Sequence, residues 1–168
     1  MRFVSQLPEA EHALDLGCGD GRLTLFLRAG AVTAADTSSV ALRRAAARLP
    51  GAEIAVVEPD ERLPFVDGEF ELVLCAETIE HVRDVQLFLS EVRRVLRPGG
   101  GLAITTPAHN RLTALGLLLR GFESGFEPLS PHLRFFTRRS LTRLLDAMGF
   151  EVDSIRRRGG TLLVRATR

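Results

Sequence analysis

Short apolar runs alternate with amphipathic stretches along the 168 residues, with little chain between them. The runs at 12–16, 32–35, 53–57, 70–75 and 101–106 have the length of buried strands and are bounded by turn-forming residues. Between them the period lengthens to that of a helix. Helices are expected at 21–29, at 38–48 before Pro50 and Gly51, and across the stripe Val85, Phe88, Leu89, Val92, Val95 and Leu96, ended by Pro98, Gly99 and Gly100. Thr137 and Gly149 bracket another, with Leu141, Leu144, Leu145 and Met148 inward. Runs at 150–156 and 161–167 flank Gly159 and Gly160 as a hairpin. Strands alternating with helices predict an α/β protein with a mostly parallel sheet covered by helices on both faces. Open sheets of this kind bind ligands at the carboxyl ends of their strands, where Asp15, Asp36, Cys75 and Thr106 belong.

The first run leads into three glycines, Gly17, Gly19 and Gly21, with Asp15 two residues ahead of them. Glycine permits positive φ and close approach of backbone to a ligand, so this is a tight strand-to-helix turn under a bound molecule. A dinucleotide fingerprint is spaced GxGxxG; here the spacing is GxGxG, and Asp20 falls where the next helix is expected to begin. A pyrophosphate needs the free N–H groups and positive end of that helix. A carboxylate at that place caps the same groups and repels phosphate. Asp15 adds negative charge, which suits a ligand carrying ammonium or sulfonium. Asp36, at the end of the second strand, is placed to accept the hydroxyls of a ribose, and Asp60 or Glu61 to meet an adenine edge. An ordinary glycine turn is the alternative for the motif taken alone.

The stretches ALDLGCGDGRL at 13–23, AADTS at 34–38, LPFVDGEFELVLCAETIEHV at 63–82, VLRPGGGLAITTP at 95–107 and HLRFFTRRSLTRLLDAMGFEV at 132–152 stand in this order along nearly the whole chain. Together they resemble the class I S-adenosylmethionine-dependent methyltransferases, in particular the group acting on small molecules. The resemblance implies a Rossmann-like seven-stranded sheet in the order 3-2-1-4-5-7-6 with strand 7 antiparallel, and S-adenosylmethionine as cofactor. By the same resemblance Asp15 lies near the methionine amino group, and Gly17, Cys18 and Gly19 line the cofactor. Asp36 holds the ribose, Thr37 borders the adenine, Asp60 and Glu61 sit beside the adenine amine, and Cys75 faces the methionine moiety. Pro59 replaces the family's usual Asp, which shifts the adenine contact to Asp60 or removes it, and Glu71 replaces another.

The activity implied is direct transfer of a methyl group to an oxygen, nitrogen or carbon of a small-molecule acceptor. A base is needed only where the acceptor holds its proton at neutral pH, and His81, in the loop after strand four, is the first candidate, ahead of His132 and His109. Glu77 and Glu80 share that loop, where they serve the sulfonium side, an acceptor amine or simply as helix caps. A cofactor-binding protein without transferase activity is the alternative; a nicotinamide oxidoreductase comes third, disfavoured by the glycine spacing and Asp20.

Composition narrows the partners. One core is expected, a single domain over 1–168, with 107–136 as a lid or acceptor-binding insertion whose Leu112, Leu115, Leu118, Leu119 and Phe122 suit a hydrophobic acceptor, a membrane surface or the sheet edge. The resemblance implies further helices before strand one, so an amino-terminal cap that is shortened or missing is expected; a truncated start, a homodimer in which the partner supplies the cover, and an open site are three readings. Net charge is +1, with 22 Arg and no Lys, which argues against a polyanionic partner. The distribution is uneven: residues 1–133 carry 13 Arg against 18 acids, a net of −5, and 134–168 carry 9 against 3, a net of +6. Arg156, Arg157 and Arg158 suit an anionic acceptor or a solvated face. The run lacks the interleaved aromatics of single-strand binders, and the base-methylating Asn/Asp-Pro-Pro-Tyr signature is absent, so nucleic acid is not expected. Cys18 and Cys75 have no metal-ligand spacing, so no metal is expected. No apolar stretch reaches membrane-spanning length, and the protein is expected in the cytoplasm.

Overall fold

The computed structural model describes residues 2–108 and 133–168. Among them, β1 (Ala10–Leu16), β2 (Ala29–Asp36), β3 (Glu53–Val56), β4 (Phe70–Ala76), β5 (Leu96–Pro107), β6 (Glu151–Arg158) and β7 (Thr161–Thr167) form one sheet in the order β3-β2-β1-β4-β5-β7-β6. Neighbours from β3 to β5 are parallel, while β7 runs antiparallel to both β5 and β6. This is the Rossmann-like order expected from the motifs. The stripe Leu112 to Phe122, His109 and His132 lie outside the described residues.

The central strands read as unbroken apolar runs because both of their faces are covered. On β4, Val73 and Cys75 enter one core and Leu72 and Leu74 the other. The helix α2 (Val85–Val95) packs on the first face through Leu89, Val92 and Val95, all fully buried, and α3 (Arg138–Ala147) through Leu141 and Leu145. Each such leucine contributes about 1.5–3 kcal/mol by leaving water. On the opposite face α1 (Ser39–Arg48) sets Leu42 and Ala45 against Ala34, and a 3₁₀ turn at Val4–Gln6 lays Val4 and Leu7 over Ala13, Leu72, Leu74 and Ala103. Helices therefore flank the sheet on both sides.

Each helix starts where its cap stands. Ser38 accepts the Ala41 N–H at 3.2 Å, Asp84 accepts those of Gln86 and Leu87, and Thr137 forms a reciprocal capping box with Ser140.

Two expectations are corrected. The helix expected at 21–29 is a single 3₁₀ turn, Thr24–Phe26. β2 begins at Ala29, paired with Ala10, so too few residues remain after Gly21 to offset the cost of nucleating an α-helix. The Pro98, Gly99 and Gly100 segment does not merely end α2. The helix stops at Val95, and Leu96 already pairs with Phe70, so β5 runs through the glycines with a register shift between Phe70 and Leu72.

Candidate functional site

The carboxyl ends of β1, β2 and β4 converge on a cavity of about 450 Å³. Its floor is the turn after β1. Gly17 has φ +83°, and a Cβ there would fall 2.3 Å from Thr78 Oγ1, so only glycine fits between the β1 and β4 ends. The Thr78 hydroxyl lies 3.3 Å from the Leu16 carbonyl oxygen and 3.1 Å from that of Ala76, which draws the two strand ends together. Gly19, at φ +55°, faces open space where a Cβ would project.

Asp36 closes β2 and holds the turn in place. One carboxylate oxygen accepts the Gly19 N–H at 2.8 Å and the other accepts that of Ser38 at 2.8 Å. Both oxygens keep further lone pairs for ligand hydroxyls. Thr37, Asp60 and Glu61 line the cavity beside it, and so does Glu58. Asp60 has φ +57°, and its carboxylate accepts the Asp84 N–H, so it ties the loop after β3 to the start of α2. Glu77, also at positive φ (+53°), receives the Thr105 hydroxyl at 2.8 Å.

Of the sequence-assigned residues, Gly19 is outside the cavity lining, and Asp15, Cys18 and Cys75 stand back from it in the core. Asp15 is almost fully buried, accepts the Thr24 hydroxyl at 2.6 Å, and keeps its second oxygen, Oδ1, without a hydrogen-bond partner. Burial pushes its carboxyl up to about 7, the Thr24 hydrogen bond opposes this, and the Asp36 charge adds to it. Cys18 is nearly buried, packed with Ala34 and Leu42, and its thiol is pushed up to about 12 by burial and by Asp15. Cys75 is fully buried in the core shared with Leu14 and Leu89, and burial raises its thiol as well. Its strand runs on to Ala76, so Cys75 belongs to the packing of β4 and not to the cavity lining. Neither thiol is a nucleophile at neutral pH.

Asp20 does not cap a helix. Its carboxylate meets Arg22 at 3.0 Å and Arg48 at 2.9 Å, and Arg48 also donates to its carbonyl. Those contacts, the Arg48 hydrogen bond first, hold it below the ordinary carboxylate range. The negative character of the cavity comes from Asp36, Glu58, Asp60, Glu61, Glu77 and Asp84, none of them ion-paired with an arginine among the described residues; Glu91 lines it paired with Arg94, and Arg83 lines it as a cation.

His81 lines the cavity from the 3₁₀ turn Ile79–His81, with Nε2 4.0 Å from a carboxylate oxygen of Glu80. Glu80 is buried, receives the Thr106 hydroxyl at 3.0 Å, and is raised chiefly by desolvation. Its carbonyl accepts the N–H groups of Leu133 and Arg134, while the Arg134 guanidinium binds the carbonyls of Val82 and Arg83. The chain leading into α3 is thereby tied to the loop that carries His81. Sequence reasoning missed Glu58 and Thr78. Glu58 was legible as an acid just past the end of β3; the Thr78 contact with Leu16 joins positions 62 apart, which no local pattern reveals.

A Rossmann-like sheet with a glycine turn and a strand-end acid beside an acid-lined cleft is the arrangement in which open α/β sheets bind ligands at the carboxyl ends of their strands. Residues 14–104 match the family model described as a methyltransferase domain, and the chain belongs to that family. It is 35% identical over 144 residues to a Mycolicibacterium smegmatis protein named as a probable S-adenosylmethionine-dependent methyltransferase, covering 83% of this chain and 52% of that one. It is 36% identical over 122 residues to a ubiquinone biosynthesis O-methyltransferase of Chelativorans sp., covering 68% and 47%. Among solved structures, an S-adenosylmethionine-dependent methyltransferase of Methanosarcina mazei superposes with a TM-score of 0.75 at 28% identity, covering 96% of this chain and 94% of that one. The chain spans about half the length of the curated relatives it matches. Among the described residues there is no cluster suited to a metal ion, and no helix is long and apolar enough to cross a membrane.

Proposed function

We propose that the cavity binds S-adenosylmethionine and that the protein transfers its methyl group to an oxygen, nitrogen or carbon of a small-molecule acceptor in the cytoplasm. The carrying observation is the joint placement of Asp36 and the Gly17 turn at the mouth of an acid-lined cleft. The chain's residues suit this donor. The space before Gly19 admits the ligand against backbone, and Asp36 offers acceptors to paired ribose hydroxyls. Thr37, Asp60, Glu61 and Glu58 surround the base.

When bound, S-adenosylmethionine supplies an electrophilic methyl on a positively charged sulfur. The protein's task is then alignment and exclusion of water, which supplies effective molarities on the order of 10⁵ to 10⁸ M. His81, at the wall of the cleft beside Glu80, takes a proton from an acceptor hydroxyl where the acceptor is not already ionised. Incubation with methyl-labelled S-adenosylmethionine and a panel of phenols, carboxylic acids and amines tests the reading. Label transfer that Asp36→Ala abolishes supports it; saturable donor binding with no transfer to any member points to a binding protein.

A further inference from the structure

A second cavity, of about 520 Å³, lies on the opposite wing of the sheet, between the amino-terminal turn and the β6–β7 hairpin. Its lining holds four arginines, Arg156, Arg157, Arg158 and Arg165, and no acid. The register explains the convergence. Arg156 stands across from Leu163 and Thr105, Arg158 from Thr161 and Pro107, and Arg165 from Ser154 and Ala103, so these three arginines project from one face of β6 and β7. Arg156 and Arg158, two residues apart on one strand, are spaced by about 7 Å. Arg157, across from Leu162 on β6, alternates to the other face and reaches the rim near the strand's end, where its Nε donates to the Gly159 carbonyl.

Arg165 is held in advance. It donates to the Gln6 carbonyl at 2.6 Å, and its guanidinium carbon stands 5.6 Å from the centre of the Phe3 ring. Most of its donors remain for a ligand. Among the described residues no carboxylate pairs with any of the four, so four of the nine arginines of residues 134–168 gather here without an acidic partner. Phe3 and Leu163 give the groove an apolar side.

The groove lies on the sheet face opposite α2, since Leu162 and Val164 of β7 enter the α2 core while Leu163 and Arg165 point the other way, and it extends to the carboxyl-end edge of the parallel strands. β6 runs parallel to β5, so Arg156 and Arg158 lie at the same edge as Glu77 and Thr106, three strands from β4, or about 14 Å. We propose that this groove is an anion subsite for a phosphate or carboxylate carried on an apolar or aromatic body, and that it receives the acidic end of the acceptor. Guanidinium forks match both anions in bidentate geometry, and Phe3 with Leu163 accepts the attached apolar group. The acceptor role rests on the methyl-transfer reading; the binding site does not.

Calorimetric titration of the full chain with phenyl phosphate, inorganic phosphate, phosphatidylglycerol vesicles and a single-stranded oligonucleotide tests it, using wild type and Arg156→Gln/Arg158→Gln, two exposed positions. Phenyl phosphate is expected to bind more tightly than inorganic phosphate, and the double variant to weaken it by about tenfold or more, with an unchanged unfolding midpoint. Equal binding by both proteins, or no binding of phenyl phosphate, overturns the proposal. Tighter binding of vesicles or oligonucleotide than of phenyl phosphate overturns it in favour of a membrane or nucleic acid. Titration with S-adenosylhomocysteine in the same series separates the two readings: its failure to bind sinks the donor site while phenyl phosphate binding, if lost only in the double variant, upholds the groove.

Discussion

Replacing Asp15 by Asn removes a charge that the fold holds at a cost, and that cost depends on pH in a calculable way. Asp15 is 1% exposed, bonded to Thr24 through one oxygen and unpartnered at the other, and burial raises its carboxyl from 3.8 to about 7. The unfolded chain keeps the ordinary value. Between these two values the folded state holds a proton that the unfolded state has lost, so stability falls as pH rises and levels off above about 7. The full difference corresponds to about 4 kcal/mol, of which about 3 falls between roughly pH 4.5 and pH 8. Asn cannot ionise. Its amide oxygen still accepts the Thr24 hydroxyl, and the fixed cost of its amide nitrogen is the same at every pH. Urea unfolding of both proteins across that range is expected to show the variant gaining about 3 kcal/mol on wild type as pH rises. Glu80, raised in the same sense, is present in both proteins and cancels in the difference. Curves that stay parallel to within about 0.5 kcal/mol would show that Asp15 is solvated or paired in the folded protein, and would refute the account of its burial.

Three other substitutions follow from contacts in the structure. Gly17→Ala forces a Cβ against Thr78 at positive φ and is expected to cost about 2–4 kcal/mol by thermal unfolding, with donor binding lost in parallel. Arg94 binds Glu91, Asp67 and the carbonyls of Leu63 and Phe65, so Arg94→Met leaves the Glu91 carboxylate without its cation; a loss of about 3 kcal/mol in urea unfolding is expected. Asp84→Ala removes the α2 cap and is expected to cost about 1 kcal/mol in the same assay, far less than Arg94→Met.

The strands were legible because each apolar run is bounded and covered on both faces, and their order followed from the motif resemblance. Helices α1, α2 and α3 were legible from the stop at Pro50 and Gly51, the start at Thr137 and the apolar stripes. The segment after Gly21 misled because Leu23, Phe26 and Leu27 have helical spacing, yet the pairing of Ala29 with Ala10 leaves no room for the turns that spacing suggests. Asp20 misled for a related reason. With no helix to cap, its carboxylate turned to Arg48, a residue 28 positions away that only the packing of α1 brings near. Asp36 and the glycines were readable because strand-end chemistry is local. Burial of Asp15 and Cys75 was not, since it depends on which neighbours cover a strand end.

The account turns on a cleft whose carboxylates favour a cationic nucleoside over a phosphorylated one. Calorimetric titration of one preparation with S-adenosylmethionine and with NAD tests this most directly. Saturable binding of the first, its loss in Asp36→Ala, and no detectable heat from the second are predicted. Binding of NAD as tight as that of S-adenosylmethionine, or binding of S-adenosylmethionine indifferent to Asp36→Ala, would contradict it.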